Sequence, residues 1–290
     1  MTRIAHLSDL HLLEETVLGR TGKARLRVGY LSLRRPIDFE DRRARAVAAI
    51  RAAQRAGFDH VVVTGDLTED GHVAQFEVVR EVFEECGLAP EQVTLTPGNH
   101  DAYGDGWDAA LAGPLHKWAK TSARGSVASL PGAKVVSLSS AVPQSFLRSS
   151  GVIDDAQLHE AADHARKGEC VILAQHHPPF KVMHQWVHGL LNHEDVTCLL
   201  GGYENLHVLH GHIHRRRDRA LQKGERPRVF SPTAVADSPL PLRVYEVIDG
   251  AVTPVDLPAP ATPRAGPDEA PQAFAGLATE EPAPKAESAA

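Results

Sequence analysis

Cysteine is scarce in this chain, an excess of basic charge is absent, and long apolar runs are missing. Cys86, Cys170 and Cys198 are the three cysteines in 290 residues, and no two form a Cys-x-x-Cys pair. That spacing excludes a disulfide framework and a thiolate zinc site, and leaves buried or incidental thiols. The formal net charge of -6 and a pI near 6.3 lack the basic field that generic nucleic-acid coating needs, and no nucleic-acid-binding domain is evident. No uninterrupted apolar stretch approaches a membrane span, and Met1 to Asp9 lead into a polar motif without the apolar core of a signal peptide. A cytoplasmic location is therefore expected. From about Leu257 large apolar residues give way to Ala, Pro and Glu, a composition that cannot bury enough surface to offset its ordering entropy. The expected organisation is one domain over 1–256, with 42% of the whole chain hydrophobic, followed by a disordered tail over 257–290.

What is present is a set of five polar islands, each following an apolar, β-branched run. Ile4 to Leu7 precedes Asp9-Leu10-His11; Val61 to Thr64 precedes Gly65-Asp66; Val93 to Thr96 precedes Gly98-Asn99-His100-Asp101; Val171 to Ala174 precedes His176; and Leu206 to Leu209 precedes Gly211-His212-Ile213-His214. Such runs read as buried strands, and polar residues just past them read as site residues at the carboxyl edge of a sheet. Between them, Asp41 to Ala56 and His72 to Glu85 show helical spacing and end at Gly57 and Gly87. This β-α-β-α-β alternation predicts parallel strands with right-handed crossovers. Further helices are expected near Trp107 to Lys120, Asp154 to Lys167 and His193 to Leu200. Strands are expected at Val127 to Leu130, Lys134 to Leu138, Leu242 to Ile248 and Ala251 to Val255, the last two joined at Asp249-Gly250.

The ordered set Asp-x-His, Gly-Asp, Gly-Asn-His-Asp, lone His and Gly-His-x-His resembles the pattern of the calcineurin-like metallophosphoesterases, over roughly residues 3 to 250. The run His176-His177-Pro178-Pro179 further resembles the branch with cyclic-nucleotide and glycerophosphodiester phosphodiesterases. The resemblance implies an α/β fold, an αββα sandwich of two mixed β-sheets flanked by helices. It implies two divalent metal ions per chain, one held by Asp9, His11, Asp66 and His214, the other by Asp66, Asn99, His176 and His212, with Asp66 as the bridge. It also implies in-line attack on a small phosphorylated substrate by a hydroxide held between the ions. Imidazole, carboxylate and amide ligands without thiolate suit Mn, Fe or Zn, and Mg or Co less well. Two carboxylates and one hydroxide against two divalent cations leave about one net positive charge to attract phosphate.

His100 is not a ligand in this scheme; its motif position lies beside the substrate, where an imidazole can protonate the departing oxygen, and Asp101 is expected to orient it. Asn99, His100, His177, Arg25 and Arg27 are the candidates for substrate contact. His6, His60, His207 and His210 read as structural, and Asp70, Asp105 and Asp108 as ordinary loop or cap carboxylates. The connection over 12–40 shows no clear periodicity and carries a basic, leucine-rich stretch between Arg20 and Arg35. It reads either as a solvated connection or as a substrate-facing flap, with peripheral membrane contact through 20–35 as a further option. A phosphodiesterase is the leading expectation. Pyrophosphate cleavage of a nucleotide-linked lipid, phosphomonoester hydrolysis and a catalytically silent, metal-binding protein-interaction scaffold are the alternatives.

Overall fold

The computed structural model describes residues 1–33, 35–104, 106–144, 148–238 and 242–255. The proposed tail and Asp105 lie outside the described residues. Two mixed sheets stand back to back. The first contains β1 (Thr2–Leu7), β2 (His60–Thr64), β3 (Val93–Thr96), β10 (Arg243–Ile248) and β11 (Ala251–Val255), in the order β11-β10-β1-β2-β3. The second contains β4 (Val127–Leu130), β5 (Ala133–Ser137), β6 (Val171–Ala174), β7 (Leu206–Leu209), β8 (Arg217–Arg219) and β9 (Val229–Ser231), in the order β4-β5-β6-β7-β9-β8. β1, β2 and β3 run parallel, as do β5, β6, β7 and β9; β10, β11, β4 and β8 join antiparallel.

The continuous apolar character of β2, β6 and β7 follows from burial on both faces. One face lies between the sheets, where Ile4, Val62, Val135, Ile172, Phe230 and Tyr245 meet. The other meets helices: α2 (Phe39–Ala56) and α3 (Val73–Glu85) cover the first sheet through Ala46, Ile50, Phe76, Val79 and Phe83. α6 (Asp155–Arg166) and α8 (His193–Gly202) cover the second through Ala161, Val196 and Leu200. The implied αββα sandwich is thus the fold observed. One expected helix is broken: Trp107 to Lys120 divides into α4 (Trp107–Ala112) and, after a 3-10 turn at His116–Trp118, α5 (Ala119–Ser122). Pro114 offers no amide hydrogen and disfavours helical backbone at Gly113, so the ladder stops there.

The 12–40 connection is not aperiodic. It holds a 3-10 turn over Glu15–Gly19 and helix α1 (Gly22–Leu31), with Leu13, Val17 and Val28 forming a small core of their own beside Ile37. Val28 alone is buried within α1, so no apolar stripe betrayed the helix. Buried charge fixes it instead. Asp70, Glu69 and Glu14 are at most 5% exposed. Arg20 Nη1 reaches both Asp70 oxygens at 3.0 and 2.8 Å, Arg27 Nε reaches Asp70 Oδ2 at 2.9 Å, and Arg35 Nη2 reaches Glu69 Oε1 at 3.0 Å. Buried Arg42, from α2, pairs with Glu69 and donates to the His11 carbonyl at 2.8 Å. Asp70 is therefore a buried anchor, not an ordinary loop carboxylate. Arg27 faces it, and Arg25 donates to the Leu18 carbonyl at 2.9 Å.

Removing one partner of a buried pair strands the other. Arg42→Ala should cost about 3–5 kcal/mol of stability, against less than about 1 kcal/mol for Arg43→Ala, whose partner Glu85 is 41% exposed. Urea unfolding in the presence of a chelator checks the contrast, and equal losses for the two variants would refute it.

Candidate metal centre

All five islands leave the carboxyl ends of parallel strands, β1, β2 and β3 in one sheet and β6 and β7 in the other, so both sheets deliver them to one edge. The backbone turns sharply there. Among the described residues seven non-glycines have positive φ, and five of them are Asp9 (56°), His11 (49°), Asp66 (48°), His212 (69°) and His214 (51°). A left-handed non-glycine costs roughly 1–2 kcal/mol. Asp9 and His11 therefore face the same side because each reverses the chain. The reversals are held by hydrogen bonds from Asp9 N to Gly65 O (3.0 Å), His11 N to Asp66 O (2.9 Å) and Gly211 N to His176 O (3.0 Å). Glycine is required where these turns close on each other: a Cβ at Gly98 would lie 2.1 Å from Asp66 Oδ1, and one at Gly65 2.5 Å from His176 Nδ1.

The structure brings all seven expected ligands together. His214 Nε2 lies 3.3 Å from both His11 Nε2 and Asp9 Oδ1. His176 Nε2 lies 3.2 Å from His212 Nδ1, 3.1 Å from Asn99 Oδ1 and 3.4 Å from Asp66 Oδ2. The same Asp66 oxygen is 3.8 Å from His11 Nε2, which places this carboxylate between the two groups. Ligands about 2.0–2.2 Å from one tetrahedral ion stand about 3.3–3.6 Å apart. The nitrogen and oxygen donors thus fit two divalent ions sharing Asp66, and no thiol takes part.

A surrounding set of partners fixes which atom of each ligand faces inward. His176 Nδ1 donates to Thr64 O at 2.8 Å, His212 Nε2 to His188 O at 2.7 Å, and His214 Nδ1 to Asp237 Oδ2 at 2.6 Å. His11 Nδ1 stands 3.4 Å from Glu69 Oε2, and both Asp9 oxygens accept from His212 N at 3.2 and 3.3 Å. Glu69 and Asp237 escaped the sequence reading. Glu69 had a faint signal, three residues after Asp66, whereas nothing in the chain links Asp237 to His214.

His100 presents its Nε2 to the centre, 3.9 Å from Asp66 Oδ2, while its Nδ1 donates to Glu69 O at 2.6 Å. Glu69, not Asp101, therefore orients it. The buried Asp101 carboxylate instead accepts from Leu67 N (3.1 Å), Thr68 N (2.9 Å), Thr68 Oγ1 (2.7 Å) and Gly98 N (2.8 Å), tying two ligand loops together. The candidate His177 is also structural: its ring nitrogens are taken by Ser140 Oγ and Ser149 O, both at 2.8 Å. Arg25 and Arg27 do not enter the ligand cluster. His6, His60, His207 and His210 are buried, each bonded to a neighbour such as Thr64, Thr94, Gly250 or Gly211.

Burial alone would raise the Asp66 and Asp9 carboxyls, but the surrounding imidazoles hold both below the usual carboxylate range. Reciprocally, burial opposes charge on His176 and His214, yet Asp66 and Asp9 push them up to about 9 and about 10. Burial pulls His11 and His212 down to about 3. At pH 7.5 without metal, His176 and His214 thus carry protons that a metal must displace. Loading should release one proton from each, and apparent metal affinity should rise with pH up to their pKa values. Calorimetric titration in buffers of different ionisation enthalpy reads the release, and its absence would contradict this charge state. Asp66→Asn should empty both positions, whereas Asp237→Asn should weaken metal affinity by about 10–100-fold. Metal analysis after dialysis separates them; two ions retained by Asp66→Asn would refute the shared carboxylate.

The chain matches the family model for calcineurin-like phosphoesterases over residues 2–216. No curated protein matches it. Among solved structures, it is similar to the crystal structure of a dimetal phosphatase from Danio rerio, at 15% identity and a TM-score of 0.64, covering 86% of this chain and 93% of that one. That likeness is one of fold. The family match spans all five islands in full, and with them the residues whose side chains converge in the geometry above. This protein belongs to the calcineurin-like phosphoesterase family and is a metal-dependent phosphoesterase.

Proposed function

We propose that the enzyme is a phosphodiesterase working with two ions drawn from Mn, Fe or Zn. The observation that carries the reading is the placement of cationic side chains. Arg20, Arg27, Arg35 and Arg42, the arginines behind the centre, are held by Glu14, Asp70 and Glu69. Each of these guanidinium groups is thus already paired with a buried carboxylate. A monoester dianion calls for extra cations beyond the metals, while a diester carries a single charge that the metal pair can match.

Bound divalent ions supply Lewis acidity to the phosphoryl oxygens and lower the pKa of water. The protein's own residues do the rest. Asp66 would share its carboxylate between the two positions, and neutral Asn99 would complete one of them without adding a charge that repels substrate. His100, 12% exposed at its side chain, has Nδ1 pinned by Glu69 O. With Nδ1–H given to Glu69 O, the doubly protonated ring carries its second proton on Nε2, the atom placed to give it to the departing alkoxide and return to the neutral form. A hydrolysis panel on the Mn-loaded protein, spanning cyclic nucleotides, glycerophosphodiesters, nucleotide-linked lipids and simple monoesters, tests the class. Preference for monoesters would overturn the diester reading, and no turnover with metals bound would favour the scaffold.

His100→Ala should keep its metal content and lose about 10²–10⁴-fold in kcat. The loss should shrink for a nitrophenyl diester, whose leaving group needs no proton. Equal losses for good and poor leaving groups would instead make His100 a substrate-positioning residue.

A further inference from the structure

Exposed large apolar side chains gather beside the metal centre. Of ten such side chains among the described residues, Leu18, Leu26, Tyr30 and Leu33 lie on α1 and its flanks, and Val152, Met183 and Trp186 lie across the mouth near α7 (Gln185–His188). Leu26, Met183 and Trp186 are 70%, 82% and 73% exposed. Single exposed apolar residues need no explanation, but a concentration around one opening does. Nor is α1 a loose segment, since Arg20 and Arg27 fasten it to buried Asp70.

The two groups are parts of one rim. Lys23, Leu26 and Arg27 line a cavity of about 400 Å³ together with Tyr103 and Gln144. Tyr103 donates to the Arg148 carbonyl at 3.3 Å, and the Arg148 guanidinium lies 5.2 Å from the Trp186 ring centre. Inward, the Tyr103 ring stands 6.1 Å from that of His100, and the His188 carbonyl at the end of α7 accepts from the ligand His212. The rim is also basic on an acidic protein. No acidic residue occurs from Leu18 to Arg35 or from Lys181 to His193, in a chain of net charge -6.

We propose that this rim docks the metal centre on an anionic lipid surface. Leu26, Leu33, Met183 and Trp186 enter the boundary between headgroups and acyl chains, while Lys23, Arg25, Arg148 and Lys181 face headgroup phosphates. Two separated apolar prominences with cations between them suit a fluid surface that admits side chains independently, and positive charge selects the anionic lipid. Docking of this kind does not depend on which ester is cleaved.

The protein carries its own reporter. Trp107 and Trp118 are 4% and 1% exposed, so Trp186 is the tryptophan whose emission docking would move. The full chain is mixed with vesicles of phosphatidylcholine alone or with about one third phosphatidylglycerol. With the anionic vesicles, Trp186 emission should shift to the blue and the protein should co-sediment, less so as salt rises. The pair Leu26→Glu and Leu33→Glu, and separately Met183→Glu, should each lower partitioning about tenfold or more. Ile248→Glu, at the far end of β10, should not. These side chains are exposed, so thermal melts verify that the variants fold. An unmoved Trp186 spectrum without sedimentation would overturn the proposal, as would equal binding to neutral vesicles or an equal effect of Ile248→Glu. Self-association abolished by the same rim substitutions, without vesicle binding, would assign the rim to a second copy of the chain.

Discussion

The Asp66 carboxylate stands at the seam between the two sheets. Its Oδ1 accepts from His100 N at 2.9 Å, and its Oδ2 lies 3.4 Å from His176, which comes from the opposite sheet. A bridging role demands that both sheets end at one level, because the reach of a carboxylate is small beside the separation of about 10 Å between packed sheets. Two hydrogen bonds set that level: His176 Nδ1 to Thr64 O, and His212 N to Asp9. Most of what surrounds the centre can be understood as holding these loops against their own charge and strain.

The strain is concentrated in five left-handed ligands, a conformation that the chain would leave if the surroundings did not over-determine it. Asp101 is part of that restraint. Burial, then the charge of Asp66, push its carboxyl up to about 6, while amide donors from Thr68 and Gly98 act in the opposite direction. A carboxylate kept in so unfavourable a place, bonded to the Asp66 and Asn99 loops alike, acts as a brace between them. Glu69 has a comparable role on the other side: its side chain meets His11 and two arginines, and its carbonyl fixes His100. The 12–40 connection thereby becomes part of the site's support. Arg35 and Arg42 reach Glu69 from it and from the start of α2, so a segment remote from the chemistry in sequence stiffens a ligand loop.

The same segment shows why some features were hidden. Helix α1 is held by ion pairs to Asp70 and by one buried valine, so it lacks the apolar stripe that periodicity detects. Its leucines follow no helical core pattern because they face solvent at the rim. The helices α2 and α3, which bury Ile50, Phe76 and Val79 on a sheet, were legible at once. The break at Gly113-Pro114 is a local signal set between two apolar stretches.

The sequence by itself determined the strands that end in polar islands, the two helical crossovers, and the identity of all seven metal-ligand candidates and of His100. The strands and crossovers depend on local spacing and β-branched runs, and the ligand set and His100 on the resemblance of the motifs to the calcineurin-like metallophosphoesterase pattern. Tertiary structure alone decided the left-handed turns that aim the ligands and the pairing of His214 with Asp237. It also decided the orientation of His100 by Glu69 in place of Asp101, the bonding of His177 to Ser140 and Ser149, and the pairing of Arg27 with Asp70. Those outcomes depend on which atoms meet across the seam between the sheets. Hydrogen bonds between residues as distant as Thr64 and His176, or Asp9 and His212, leave no trace in either local stretch of chain.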